Sequence, residues 1–316
     1  MKKSVAVPAQ YALGALVVAL SAMPWRAAEA QTPAAEAQTP AASPAAEPPP
    51  PPFTGHIDLV SKYILRGAST TYGNSLPGLG NQGADAPESD QPVLQWGVDY
   101  VHPSGWYVGY WGSRINYSYK QLGDSYDDRT ITDFQTDKSI ENDFYGGYTG
   151  KIGDFSYTGG ITGYVYYNGK HANAVETKVG IAYKEFGLNA QTLLQDTVWG
   201  NKGDTYFTVT YATTLPYDFN FTASLGYYLY QKEGKFLGTR DTALGVDCAP
   251  GQAFVVNGCF VGNAPSSGGF RHLILGVTRG IGKSGVVLGL QGLIAGENRF
   301  AVKQDDRVVA SISYTF

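Results

Sequence analysis

The sequence predicts an all-β fold, a transmembrane antiparallel up-and-down β-barrel of about twelve strands. Three observations predict it. From Phe53 onward, segments of roughly ten residues alternate apolar with mixed positions, the period of two that marks strands. The separators between segments alternate short and long. The last segment, ending on Phe316, keeps its alternation almost without fault.

The composition agrees. The chain has 316 residues, with 40 Gly, 23 Tyr, 16% charged residues and a formal net charge of -4. No strongly basic patch is present, so a nucleic-acid partner is not expected. Residues 1–30 read as a secretory signal peptide: Lys2 and Lys3, an apolar stretch from Tyr11 to Met23, then Ala28-Glu29-Ala30 as the cleavage site. Residues 31–52 read as an Ala/Pro-rich periplasmic linker, with Ala-Ala-Glu-Ala-Gln-Thr-Pro-Ala starting at Ala27 and again at Ala34. Such tracts bury nothing and stay extended. Residues 53–316 hold the barrel. Export and a barrel together imply the cell outer membrane, with lipid, lipopolysaccharide and the barrel insertion machinery as partners.

The strands follow in order. The first is expected over Gly55 to Arg66, with Ile57, Leu59, Tyr63 and Leu65 on one face and His56, Asp58, Lys62 and Arg66 on the other. The second, Val93 to His102, sets Leu94, Trp96, Val98 and Tyr100 against Gln95 and Asp99. Pro103-Ser104-Gly105 is a tight turn into Trp106 to Ile115. Then come Ile140 to Tyr148, Phe155 to Tyr167, Val175 to Lys184, Leu188 to Asp196, Thr205 to Thr213 and Phe219 to Tyr230. In the sixth, Glu176, Lys178 and Lys184 share the polar face. The last three are Phe270 to Gly280, Val286 to Ala295 and Arg307 to Phe316.

Backbone groups in hydrocarbon must all be paired, so a spanning sheet has to close on itself. An even strand count puts both ends of the barrel in the periplasm, with tight turns there and longer loops outside. Tyr100, Trp106, Tyr167, Tyr230 and Tyr314 suit the aromatic belts at the two interfaces. In the final strand, Val308, Ala310, Ile312, Tyr314 and Phe316 share the lipid face. A terminal Phe behind alternating apolar residues, here Ile312, Tyr314 and Phe316, is similar to the signal that the insertion machinery reads.

The run Leu59-Val60-Ser61-Lys62-Tyr63-Ile64-Leu65-Arg66-Gly67 resembles the VSDYxFRG opening of the TorF family of proposed porins, with Lys62 where Asp is expected. Val93 to Ser113 resembles that family's GxDYxHxSGFYxGxWxSN block. Glu141, Asp143, Tyr145 to Tyr148 and Gly153-Asp154-Phe155 resemble its ExDLYxGY and GDF motifs. The resemblance implies a porin-type barrel, with no established substrate or catalytic residues to carry over.

The inward candidates are Asp58, Lys62, Arg66, Asp99, Glu176, Lys178, Lys184 and Arg307. In a channel they line the pore and tune ion selectivity. In a plugged barrel they pair with one another. Cys248 and Cys259, eleven positions apart in the longest outer loop, predict a disulfide. The four His are scattered, and no metal or cofactor site is expected. His102 and Ser104 share a predicted turn, and no enzymatic activity is expected. The expected function is passive diffusion of small hydrophilic solutes or ions through the lumen. The alternative is a non-conducting structural or ligand-binding barrel.

Overall fold

A computed structural model describes residues 52–69, 88–116, 119–128, 130–131, 138–247 and 266–316. The signal peptide, the linker up to residue 51 and both cysteines, Cys248 and Cys259, lie outside the described residues.

Twelve antiparallel strands close into one barrel. They are β1 (Phe53–Val60), β2 (Val93–Val101), β3 (Trp106–Ile115), β4 (Ser139–Ile152), β5 (Phe155–Tyr166) and β6 (Ala174–Tyr183). They continue as β7 (Phe186–Leu193), β8 (Thr205–Leu215), β9 (Phe219–Leu229), β10 (Gly268–Gly280), β11 (Val286–Ala295) and β12 (Arg307–Thr315). Each strand pairs with its sequence neighbours, and β12 pairs with β1 to close the sheet. Tight turns join the even strands to the next odd ones. Longer segments join the odd to the even, so the barrel has a turn end and a loop end.

The alternation sorts the side chains. Ile57, Leu94, Val108, Ile161, Leu290 and Ile312 stand on the outside, each more than two-fifths exposed. An apolar outer surface of this extent is what a lipid-facing barrel wall requires. At the turn end the outside carries aromatic pairs: Phe53 with Tyr100 (4.7 Å), Trp106 with Tyr148 (5.3 Å) and Phe155 with Tyr183 (4.7 Å). These suit the membrane–water interface, where a ring can face lipid and its polar edge water. Tyr230 departs from expectation: it stacks on Tyr228 (4.8 Å) inside the barrel mouth.

The main difference is in the first strand. β1 ends at Val60, six residues before Arg66. The chain then leaves the wall and enters the lumen as the segment Ser61–Ser69, where Tyr63 and Ile64 are buried. Alternation alone could not reveal this, because Tyr63 and Leu65 continue the apolar phase of Ile57 and Leu59 while no longer facing lipid.

The loop end is also more ordered than a set of solvated loops. Helix α1 (Lys120–Asp127) lies between β3 and β4. Tyr126 of that helix packs on Phe236 (4.7 Å), from the loop after β9, and on His171 (6.0 Å), from the loop after β5. The Trp199 indole donates to the Ala172 carbonyl at 2.8 Å. Asn201 donates to the carbonyls of Gln231 and Leu237. The loops therefore hold one another across the mouth.

Candidate functional site

The segment Ser61–Ser69 ends in a tight turn. The Ala68 amide donates to the Leu65 carbonyl at 2.9 Å, and the two residues between, Arg66 and Gly67, have φ of 48° and 74°. Two successive positive φ values are the type I′ combination, which favours Gly. Gly67 is needed for a second reason. A Cβ there would stand 2.8 Å from the Arg271 carbonyl oxygen and 3.0 Å from the His272 Cβ. The turn is thus pressed against β10.

This turn delivers Arg66 to the middle of the lumen. Its guanidinium makes a two-pronged bond to Glu176 of β6, Nη1 to Oε1 at 2.9 Å and Nη2 to Oε2 at 2.7 Å. It also donates to Tyr228 of β9 (2.7 Å), Gln191 of β7 (3.0 Å) and Tyr164 of β5 (3.3 Å). Its flat face lies 4.7 Å from the centre of the Tyr206 ring of β8. Five wall strands thus converge on one side chain. Planar recognition of this kind is what a guanidinium does and an ammonium cannot. Arg66 and Glu176, predicted as wall residues, form one buried pair across the lumen.

The other predicted residues fall in three groups. Asp58, Asp99 and Lys178 point inward and are at most 3% exposed, so almost no water reaches them. The Asp58 carboxylate is 2.6 Å from His56 Nδ1, and Asp99 accepts from the Tyr145 hydroxyl at 2.5 Å. Arg307 stays at the loop-end rim and donates to Asp305 at 2.6 Å. Lys62 and Lys184 are corrections. Lys62 lies beyond β1 and donates to the Asp90 carbonyl at 2.9 Å. Lys184 is exposed, with φ of 52°, in the turn between β6 and β7. It sits where the chain reverses, so the strand phase no longer governs it.

Above Arg66, toward the loop end, lies a vestibule of about 70 Å³. Its walls include Tyr164, Trp199, Tyr228 and Tyr230, with Arg271 and Arg299 among them. Arg299 is bound to Asp204 (2.9 Å) and stands 5.0 Å from the Tyr230 ring. Arg271 was not among the predicted residues. The pairing of β10 with β9 slips between Phe270 and His272, which makes Arg271 the extra residue of a β-bulge. A bulge turns two successive side chains to one face. Both Arg271 and His272 accordingly point inward, at 4% and 2% exposure. The sequence signal was two adjacent polar residues where strict alternation admits one.

A family model described as "Bacterial protein of unknown function (Gcw_chp)" matches residues 81–274, well over half of the chain. The chain belongs to this family. No curated protein matches the sequence. Three solved structures are similar at low identity. They are outer membrane phospholipase A from Escherichia coli (11% identity, 83% of this chain and 95% of that one, TM-score 0.37), Salmonella typhi OmpF in complex with daunomycin (13%, 84% and 97%, 0.35), and the outer membrane protein OprD from Pseudomonas aeruginosa (11%, 82% and 65%, 0.34). Likenesses so distant add nothing to what the strand pairing itself shows about this Gcw_chp protein.

Proposed function

We propose that the protein is an outer-membrane channel for small hydrophilic solutes or ions, held closed at rest by the Ser61–Ser69 segment. The observation that carries this reading is the Arg66 latch: one loop residue, bound by five wall strands, stands across a lumen whose wall carries many buried polar side chains beside rings such as Trp111 and Tyr145. A barrel serving only as a stem could be filled with apolar side chains, as soluble cores are. Below the latch this wall instead carries Gln95, Asp99, Lys178, Asn189 and Thr208. The likeness of Leu59 to Gly67 to the TorF family of proposed porins supports the same reading, since the Arg-Gly of that motif is the latch turn.

In this reading the loop end faces outward among lipopolysaccharide, the turn end faces the periplasm, and Ile312, Tyr314 and Phe316 form the insertion signal. Solutes move down their gradient, and no catalytic residue or cofactor is assigned. Single-channel recording in planar bilayers tests it. Wild-type protein is expected to stay mostly closed. Arg66→Ala, which removes the latch but leaves the wall intact, is expected to raise the open fraction at least tenfold. If folded Arg66→Ala protein is as silent as the wild type, the barrel is the non-conducting structural or ligand-binding alternative.

A further inference from the structure

Three arginines border the vestibule, and two of them are neutralised. Arg66 is held by Glu176 at 2.7 Å and Arg299 by Asp204 at 2.9 Å. Arg271 is different. Its Nε donates to the Arg66 carbonyl at 3.2 Å and its Nη1 to the Glu297 carbonyl at 3.0 Å. Among the described residues no carboxylate pairs with it and its Nη2 bonds to nothing. Glu88 is the third acid of the lining.

A buried cation without a counter-charge is costly, and natural proteins pair such charges. Here the fold goes out of its way to bury one. The bulge in β10 turns Arg271 inward, and the Arg66-Gly67 turn is pressed against it. Bulges recur next to functional sites because they re-aim a single side chain. The space beside Arg271 is bounded by flat rings. Tyr228 and Tyr230 stack at 4.8 Å with their planes 11° apart, and Trp199 meets Tyr164 edge-on at 6.2 Å. A guanidinium with a free nitrogen favours a planar oxyanion, and the rings favour a flat, unsaturated body.

We propose that the vestibule is a binding site for small organic carboxylates with a planar body, and that Arg271 is the residue that holds the carboxylate. This deepens the channel reading by naming the solute class received at the mouth. Binding is measured apart from conduction, so the two can fail separately.

The test is calorimetric titration of the refolded full chain in detergent micelles. Sodium benzoate is the probe, with benzamide, acetate and inorganic phosphate as the other arms. Benzoate is expected to bind saturably and at least tenfold more tightly than neutral benzamide. A charge-assisted hydrogen bond is worth about 1.5–3 kcal/mol, which is tenfold or more in affinity. Acetate and phosphate, which gain nothing from the rings, are expected to bind more weakly. Arg271→Gln is expected to lower benzoate affinity at least tenfold while Arg271→Lys keeps part of it, with folding of each variant checked by heat-modifiable mobility in gels. Should Arg271→Gln fail to fold, the benzoate–benzamide comparison on wild-type protein decides. Equal binding of benzamide, unchanged binding by folded Arg271→Gln, or phosphate binding as tightly as benzoate would each overturn the proposal.

Discussion

Arg66 and Glu176 are 110 positions apart in the chain, yet they make a two-pronged contact in the lumen. Breaking a buried ion pair from one side leaves a charge without compensation and costs about 3–5 kcal/mol. Glu176→Gln keeps the shape and the acceptor oxygen but removes the charge. It is expected to lower the barrel's resistance to urea, read as an earlier unfolding midpoint, and to raise the open fraction in bilayers. A variant with an unchanged midpoint would show that the tyrosines and Gln191 hold Arg66 unaided. At this scale the sequence was half legible. Period two placed Asp58, Asp99, Glu176 and Lys178 on the inner face, because one face of each strand has to meet lipid. It could not say that Arg66 reaches Glu176, since that contact depends on the chain leaving the wall. Nor could it find Arg271, because a bulge breaks the very period being read.

The connecting elements carry what the strand pattern does not. The latch turn needs φ above zero at Gly67, and any larger residue meets the Arg271 carbonyl. Left-handed backbone costs an ordinary residue about 1–2 kcal/mol before any clash is counted. Gly67→Ala is therefore expected to loosen the Ser61–Ser69 segment, seen as faster amide exchange there, with strand amides unaffected. At the loop end, Lys170 bridges Asp127 (2.6 Å) and Asp124 (3.1 Å) of α1. The hydrogen bond from Lys170, followed by that from His171, holds the Asp127 carboxyl below its ordinary value. A carboxylate shifted down contributes stability above its unfolded pKa and loses it as pH falls through the folded one. Amide protection of α1 is thus expected to be steady near neutrality and to drop once pH passes below the ordinary carboxylate range. Asp127→Asn should remove its share of that drop, and an identical acid profile in the variant would rule the tether out. The loop contacts were illegible in the sequence because they join segments with no shared periodicity, such as Tyr126, His171 and Phe236.

On the scale of the whole molecule, strand number, order and hand-over between ends were all legible, for one physical reason. An up-and-down sheet in hydrocarbon has a single way to satisfy its edges, which is for the last strand to meet the first. The register of that seam, His56 opposite Thr315 through Val60 opposite Ser311, had to come from structure. At its turn end the Gly55 amide donates to the Phe316 carbonyl (2.8 Å) and the Phe316 amide returns a bond to Gly55 (2.9 Å). The Phe316 ring lies over Gly55: a Cβ there would stand 2.6 Å from one ring carbon and 2.7 Å from the next. The terminal ring therefore shields the last backbone bonds of the closure, and the glycine makes room for it. Gly55→Val should push the ring aside, and Phe316→Ala should remove it. Each is expected to cost about 1–3 kcal/mol, in the range of overpacking and of a lost aromatic contact. Because both act through one ring, the double variant should lose less than the sum of the two. The temperature at which the barrel loses its folded electrophoretic mobility in SDS measures all three. Additive losses would mean that glycine and ring act independently, and that the seam is held by its backbone bonds without the cover of Phe316.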